Sequence, residues 1–187
     1  VTIAEVGKDR KPIAGSKQFI PCDTLLLSVG LIPENELSKS AGICLDRITG
    51  GAVVDQDRQT SVSGIFACGN VLHVHDLVDF VSDEAEIAGD AAASYIKSEH
   101  HDSADIKIET DNIIRYTVPQ KITAAKDLSI FFRVCDTFKN VKVVVKNGGK
   151  VIYYKKLLKA APGEMNKIDV KKDMLTGAKA LRLEIER

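Results

Sequence analysis

Apolar residues are distributed in two ways along this chain. In the last 78 residues they alternate: Leu181, Leu183 and Ile185 are separated by Arg182 and Glu184, the two-residue period of a strand with one buried face. Similar β-rich runs at residues 113–118, 128–134, 141–146, 151–157, 167–170 and 180–185 predict six short strands. Asn147-Gly148-Gly149 makes a hairpin turn between two of them, and Pro162-Gly163 makes a further break. Before residue 110 the apolar positions cluster instead. Residues 23–30, DTLLLSVG, form a nearly continuous apolar run, the pattern of a strand covered on both faces in a parallel sheet. Residues 64–68, GIFAC, predict another short buried strand. Residues 1–6 and 17–20 predict a hairpin, as do residues 43–45 and 52–54 around Thr49-Gly50-Gly51. A short helix is expected over 33–40, ending at Gly42. A longer one is expected over 82–97, with Ser82 as N-cap, Asp83 and Glu84 in the first turn and Ala85, Ala88, Ala92 and Ile96 along one face.

Charge separates the same two regions. Residues 1–109 carry 9 Lys/Arg and 18 Asp/Glu, and residues 110–187 carry 17 and 8, so net charges of −9 and +9 cancel. This shift beside the polar stretch 97–105, where His100-His101 sits as an exposed pair, places a domain boundary near residue 108. The expected architecture is an α/β region over 1–108 followed by a small all-β antiparallel sandwich over 109–187. The basic half has no exposed aromatic series and no nucleic-acid motif, so a solvated lysine-rich sheet is favoured over nucleic-acid binding. No run approaches the roughly 18 apolar residues of a membrane span, no leader pattern opens the chain, and Cys22, Cys44, Cys68 and Cys135 show no paired spacing. A cytoplasmic protein is expected.

Candidate chemistry concentrates in residues 64–76, GIFACGNVLHVHD. His73 and His75 are the catalytic candidates, because an imidazole titrating near neutrality can exchange protons while electrons move. No metal site is expected: His73, His75, Asp76 and Asp79 match no common ligand spacing. Cys68 lies on a buried strand, where cysteine behaves as a small hydrophobe.

The series CDTLLLSVGLIPEN, AGI, VVD and TSVSGIFACGNV, followed by AGDAAASYI, resembles the C-terminal part of the FAD domain in the pyridine nucleotide-disulfide oxidoreductase superfamily. LHVHDLVDFVSDEAE is most similar to thioredoxin reductase-like flavoproteins found beside glycerol-utilisation and amine-oxidising enzymes. The resemblance covers about residues 1–98. It implies FAD as cofactor, NAD(P)H as co-substrate and electron transfer to a further acceptor. Gly69 would let the backbone approach the flavin, and Asn70 would meet the ribityl hydroxyls with an amide in place of the usual carboxylate. Val81, Ser82 and Asp83, at a helix N-terminus, would face the flavin N1 and C2 carbonyl. Gly30 and Pro33 match the point where the chain leaves an NAD-binding insertion. No G-x-G-x-x-G occurs in the 187 residues, so no glycine-rich pyrophosphate cradle is present. The expectation is a piece of a larger flavoenzyme whose N-terminal FAD and NAD domains are its partners, and which alone is inactive and does not retain FAD. The sandwich is expected to mediate homo-oligomer or subunit contacts. The competing reading is a non-catalytic interaction module built on a cofactor-free remnant.

Overall fold

A computed structural model describes residues 1–97, 105–123 and 126–187. His100 and His101 lie outside them. Two compact units are present, Val1–Gly30 and Leu31–Arg187. In the first, β1 (Thr2–Ile3) pairs antiparallel with β2 (Gln18–Phe19), Thr2 opposite Phe19, as the hairpin pattern predicts. The run 23–30 does not form the expected strand. It has no regular structure, and Leu26 is 91% exposed. A strand buried on both faces requires ladder partners and two covering layers, and β1 and β2, two residues each, supply neither.

The second unit begins with α1 (Glu36–Ser40). Asn35, buried ahead of it, donates from Nδ2 to the carbonyls of Gly50 (3.0 Å) and Val71 (2.9 Å), tying the helix start to two loops. The turn at 46–51 is held by Asp46, whose carboxylate accepts the N–H groups of Ile48 and Thr49. Gly51 is required there, since a Cβ would sit 1.7 Å from the Leu72 carbonyl oxygen. The segment 64–68 is not a strand either: it makes one isolated bridge, Gln59 to Phe66, and leads to a 3-10 turn at Gly69–Val71.

The long helix α2 (Val78–Ile96) starts four residues before the expected cap. Leu77 is the extended residue at its start, and the Ser82 hydroxyl donates to the Val78 carbonyl (3.3 Å) from inside the helix. Phe80 accounts for the extra turn, since its ring packs against Phe131 with centroids 5.6 Å apart, and Asp79 suits the positive helix end. Glu84, Ala88 and Ala91 form the buried face of α2.

Eight strands follow: β3 (Ile106–Thr110), β4 (Ile114–Val118), β5 (Lys121–Ile122), β6 (Leu128–Val134), β7 (Phe138–Asn147), β8 (Lys150–Ala160), β9 (Asn166–Val170) and β10 (Leu181–Glu186), with α3 (Lys172–Leu175) before the last. They make a five-stranded sheet in the order β5-β3-β10-β7-β8 and a three-stranded sheet in the order β4-β6-β9. One apolar cluster joins the two sheets, with Ile130, Phe132, Val143, Val145, Leu181 and Leu183 all fully buried. The pairing is not wholly antiparallel. β10 inserts between β7 and β3 and runs parallel to β3, Leu181 opposite Ile108.

The position expected for a domain boundary, 108, falls inside β3. A second cluster of Ile43, Ala52, Val54, Leu72 and Val118 packs the 31–97 segment onto β4, and Val54 N–H donates to the Gln120 side chain (2.9 Å). The fold is mixed α/β, dominated by sheet. No helix among the described residues is long and apolar enough to cross a membrane.

Candidate functional site

The chemistry of the second unit converges on Glu84, on the buried face of α2 and fully excluded from solvent. Its Oε1 accepts from Arg58 Nε at 3.0 Å and lies 3.2 Å from His73 Nε2. Its Oε2 accepts the Gly69 N–H at 2.9 Å and lies 3.0 Å from His75 Nε2. A single carboxylate thus ties α2 to the Gly69 turn, the His-Val-His loop and the Arg58 loop. Burying it alone would be prohibitive, and these four partners are what make the position tolerable. The two rings pack edge to face, centroids 4.3 Å apart, and Phe131 of β6 lies 5.8 Å from each. Arg58 sits 5.7 Å from the same ring.

β6 also supplies Arg133, which fixes the loop from outside. Its Nη2 donates to the Val74 carbonyl and to Asp76 Oδ1, both at 3.0 Å, its Nη1 to the Pro162 carbonyl and its Nε to the Tyr116 hydroxyl. Asp76 additionally accepts the Met165 N–H. The basic sheets therefore form one wall of the site. Lys167 of β9 pairs with Asp83 of α2 at 2.7 Å.

Burial pushes the Glu84 carboxyl up, but hydrogen bonds from His73 and His75 and the charge of Arg58 outweigh it and hold the group far below the usual carboxylate range. Burial lowers His73 despite the opposing pull of Glu84, which keeps that imidazole neutral at pH 7. Burial likewise lowers Arg58 and raises the Cys68 thiol, Glu84 adding to the latter. A raised thiol gives little thiolate, so Cys68 is a poor nucleophile.

The structure brings His73 and His75 together but encloses both side chains, each 1% exposed. Asp76 and Asp79 do not join them: Asp76 serves Arg133, and Asp79 is carried in the first turn of α2. Gly69 is buried with φ +69, a backbone region that excludes most side chains. Asn70 is exposed, and its Oδ1 accepts the His75 N–H (3.0 Å). Val81 closes the first turn of α2, and Ser82 and Asp83 lie in the second. The free N–H groups of a helix belong to its first four residues, here Val78–Val81, and no side chain caps them.

Glu84 was legible only as a first-turn acid. Its spacing to Ala88 and Ala91, four and seven residues on, places a carboxylate on an apolar stripe, and that is the signal for a buried partnered charge. Arg58 carries no such signal, because it stands in a turn with φ +63.

Whether these residues suit a flavin can be judged from the uncapped start of α2. That helix end, the exposed Asn70 amide beside it and the apolar Leu77 and Val78, 53% and 76% exposed, together offer donors and an apolar surface of the kind a ribityl chain and ring edge need. They fit as one wall of such a site.

Residues 1–93 match the sequence profile described as pyridine nucleotide-disulphide oxidoreductase. Relatives include nitrite reductase [NAD(P)H] of Neurospora crassa, 34% identical over 33% of this chain and 6% of its own length. The biphenyl dioxygenase system ferredoxin–NAD(+) reductase component of Paraburkholderia xenovorans is 37% identical over 35% of this chain and 15% of its own. A probable ferredoxin reductase of Castellaniella defragrans is 40% identical over 30% and 13%. The chain thus spans a small part of the curated relatives it matches. No solved structure matches it significantly. Through its first 93 residues the chain belongs to the pyridine nucleotide-disulphide oxidoreductase family.

Proposed function

We propose that this chain is the C-terminal part of an FAD-dependent NAD(P)H oxidoreductase and supplies the contacts to the flavin's ribityl chain and ring edge. The observation that carries this reading is the continuity of the Gly69-Asn70 turn with the uncapped N-terminus of α2, inside the segment that matches the family. FAD, when bound, would take electrons from NAD(P)H and pass them to an acceptor. Asn70 would meet ribityl oxygens with its amide, and the first turn of α2, Val78–Val81, would direct its N–H groups and positive dipole end at the ring. Glu84 would hold the Gly69 N–H and so fix the turn. The N-terminal region would be an incomplete Rossmann-like domain, its pyrophosphate cradle supplied by a partner segment, and the two sheets a β-sandwich closing the His73–His75 side of the site.

The test has two parts. Purified alone, the chain should be colourless. Co-expressed with the polypeptide that carries the glycine-rich FAD-binding segment of the parent enzyme, it should yield a yellow complex bleached by NAD(P)H. A colourless co-purified complex would overturn the reading.

A further inference from the structure

We propose that His73, His75 and Glu84 form a binding site for one divalent transition-metal ion of the zinc type. One ligating atom from each of the three residues can be chosen so that all lie within 4.8 Å of one another. The Nε2 atoms stand 3.2 and 3.0 Å from the two carboxylate oxygens. A tetrahedral ion with bonds of about 2.0–2.1 Å needs its ligands roughly 3.3 Å apart; the two imidazoles meet different oxygens of the one carboxylate, so an ion would draw the three ligating atoms, now within 4.8 Å of one another, closer together. Both rings are already immobilised against Phe131, and two imidazoles with one carboxylate is a donor set that zinc accepts with a fourth position left open.

Two features of the surroundings bear on the exchange of hydrogen bonds for metal bonds. The Nδ1 atoms of His73 and His75 are both buried without a hydrogen-bond partner. Each ring proton can move from Nε2 to Nδ1, freeing the Nε2 lone pair; the Nδ1–H so formed lacks an acceptor just as the Nδ1 lone pair now lacks a donor, so the tautomer change neither makes nor breaks a hydrogen bond at Nδ1. The second feature is charge. Arg58 now neutralises Glu84, and a metal ion would displace it, but Arg58 also faces Asp55 and Asp57 and donates from Nη1 to the Gln56 carbonyl. Those carboxylates keep the guanidinium compensated once Glu84 turns to the ion. Arg58 is thus a competitor for Glu84 whose removal should tighten metal binding.

The experiment uses the full chain, stripped with a chelator and titrated with Co2+ as a spectroscopic probe, then with Zn2+ in competition. The expected result is saturable visible absorption at one ion per chain that Zn2+ abolishes. Outer-sphere substitutions typically weaken metal sites about 10–100-fold, so losing a direct ligand in His75→Ala or Glu84→Gln should cost roughly 100-fold or more. Arg58→Met should bind more tightly than the wild type, and a His100→Ala/His101→Ala variant should bind as the wild type does. Because Glu84→Gln can also unfold the chain, histidine ring 15N shifts of the wild type give an independent readout: two Nε2 resonances must move on Zn2+ addition. No Co2+ spectrum, unmoved ring resonances, or binding lost with His100 and His101 would each overturn the proposal.

Discussion

Two apolar stretches of this chain meet opposite fates. β10, LRLEIE, buries Leu181, Leu183 and Ile185 and is paired on both edges, to β3 and β7. The run 23–30, DTLLLSVG, is more apolar yet forms no strand, with Leu26, Leu27 and Val29 at 91, 72 and 86% exposed. Hydrophobicity does not explain the difference. Alternation lets β10 solve its burial with one covering layer, whereas the continuous run needs two layers and two ladder neighbours, and no described strand pairs with it. Apolar pattern predicts a strand only where its neighbours are present.

Substitutions that treat the stretches differently put this contrast at risk, and the largest effects belong on the packed side. Phe132→Ala, at a fully buried position between the sheets, should lower unfolding stability by about 3–5 kcal/mol; urea denaturation would measure it, and a loss under 1 kcal/mol would show the sheets are loosely joined. Glu84→Gln takes from the buried Arg58 its hydrogen-bonded counter-charge, leaving only the weaker pull of Asp55 and Asp57, and should cost about 3 kcal/mol, read from the same experiment and partly restored by Arg58→Met in the same chain. Acidification should act more gently. The folded His73 sits below its ordinary value of 6.5 and Glu84 below 4.5; each therefore stabilises the fold above its ordinary value and loses that contribution as pH falls. The melting temperature should be flat between about pH 7 and 8, decline first below 6.5 and again below 4.5; a melting temperature that rises on acidification would contradict the buried neutral imidazole. At the small end, Leu26→Ser should change stability by no more than about 0.5 kcal/mol while reducing self-association in sedimentation.

The sheets were largely readable because alternation and turn chemistry agreed there. The expected 128–134 strand is β6 residue for residue, and Asn147-Gly148-Gly149 turns β7 into β8, Gly148 and Gly149 both at positive φ. β3 was not foreseen, since IKIET is short and sits in the charged stretch beside residue 105. Its parallel pairing to β10 depends on the last strand inserting between distant partners, which no local pattern encodes. The helix start was misread because Ser82 looks like a cap; Phe80 packing on Phe131 decided the matter from 51 residues away. The site was half legible. Gly69, His73 and His75 stand in one visible segment, whereas Arg58, Glu84 and Phe131 join them only through tertiary packing.

The flavin contact at Asn70 is the central claim, and FAD affinity tests it directly. In the chain combined with the parent's glycine-rich FAD-binding segment, flavin fluorescence quenching would give the dissociation constant for the wild type, Asn70→Ala and Asn70→Asp. Loss of one hydrogen bond of about 1.4 kcal/mol predicts roughly tenfold weaker binding for Asn70→Ala. Asn70→Asp should bind at least as tightly as the wild type, because a carboxylate accepts the ribityl hydroxyls more strongly. Equal affinity in all three proteins would contradict the account and remove Asn70 from the flavin site.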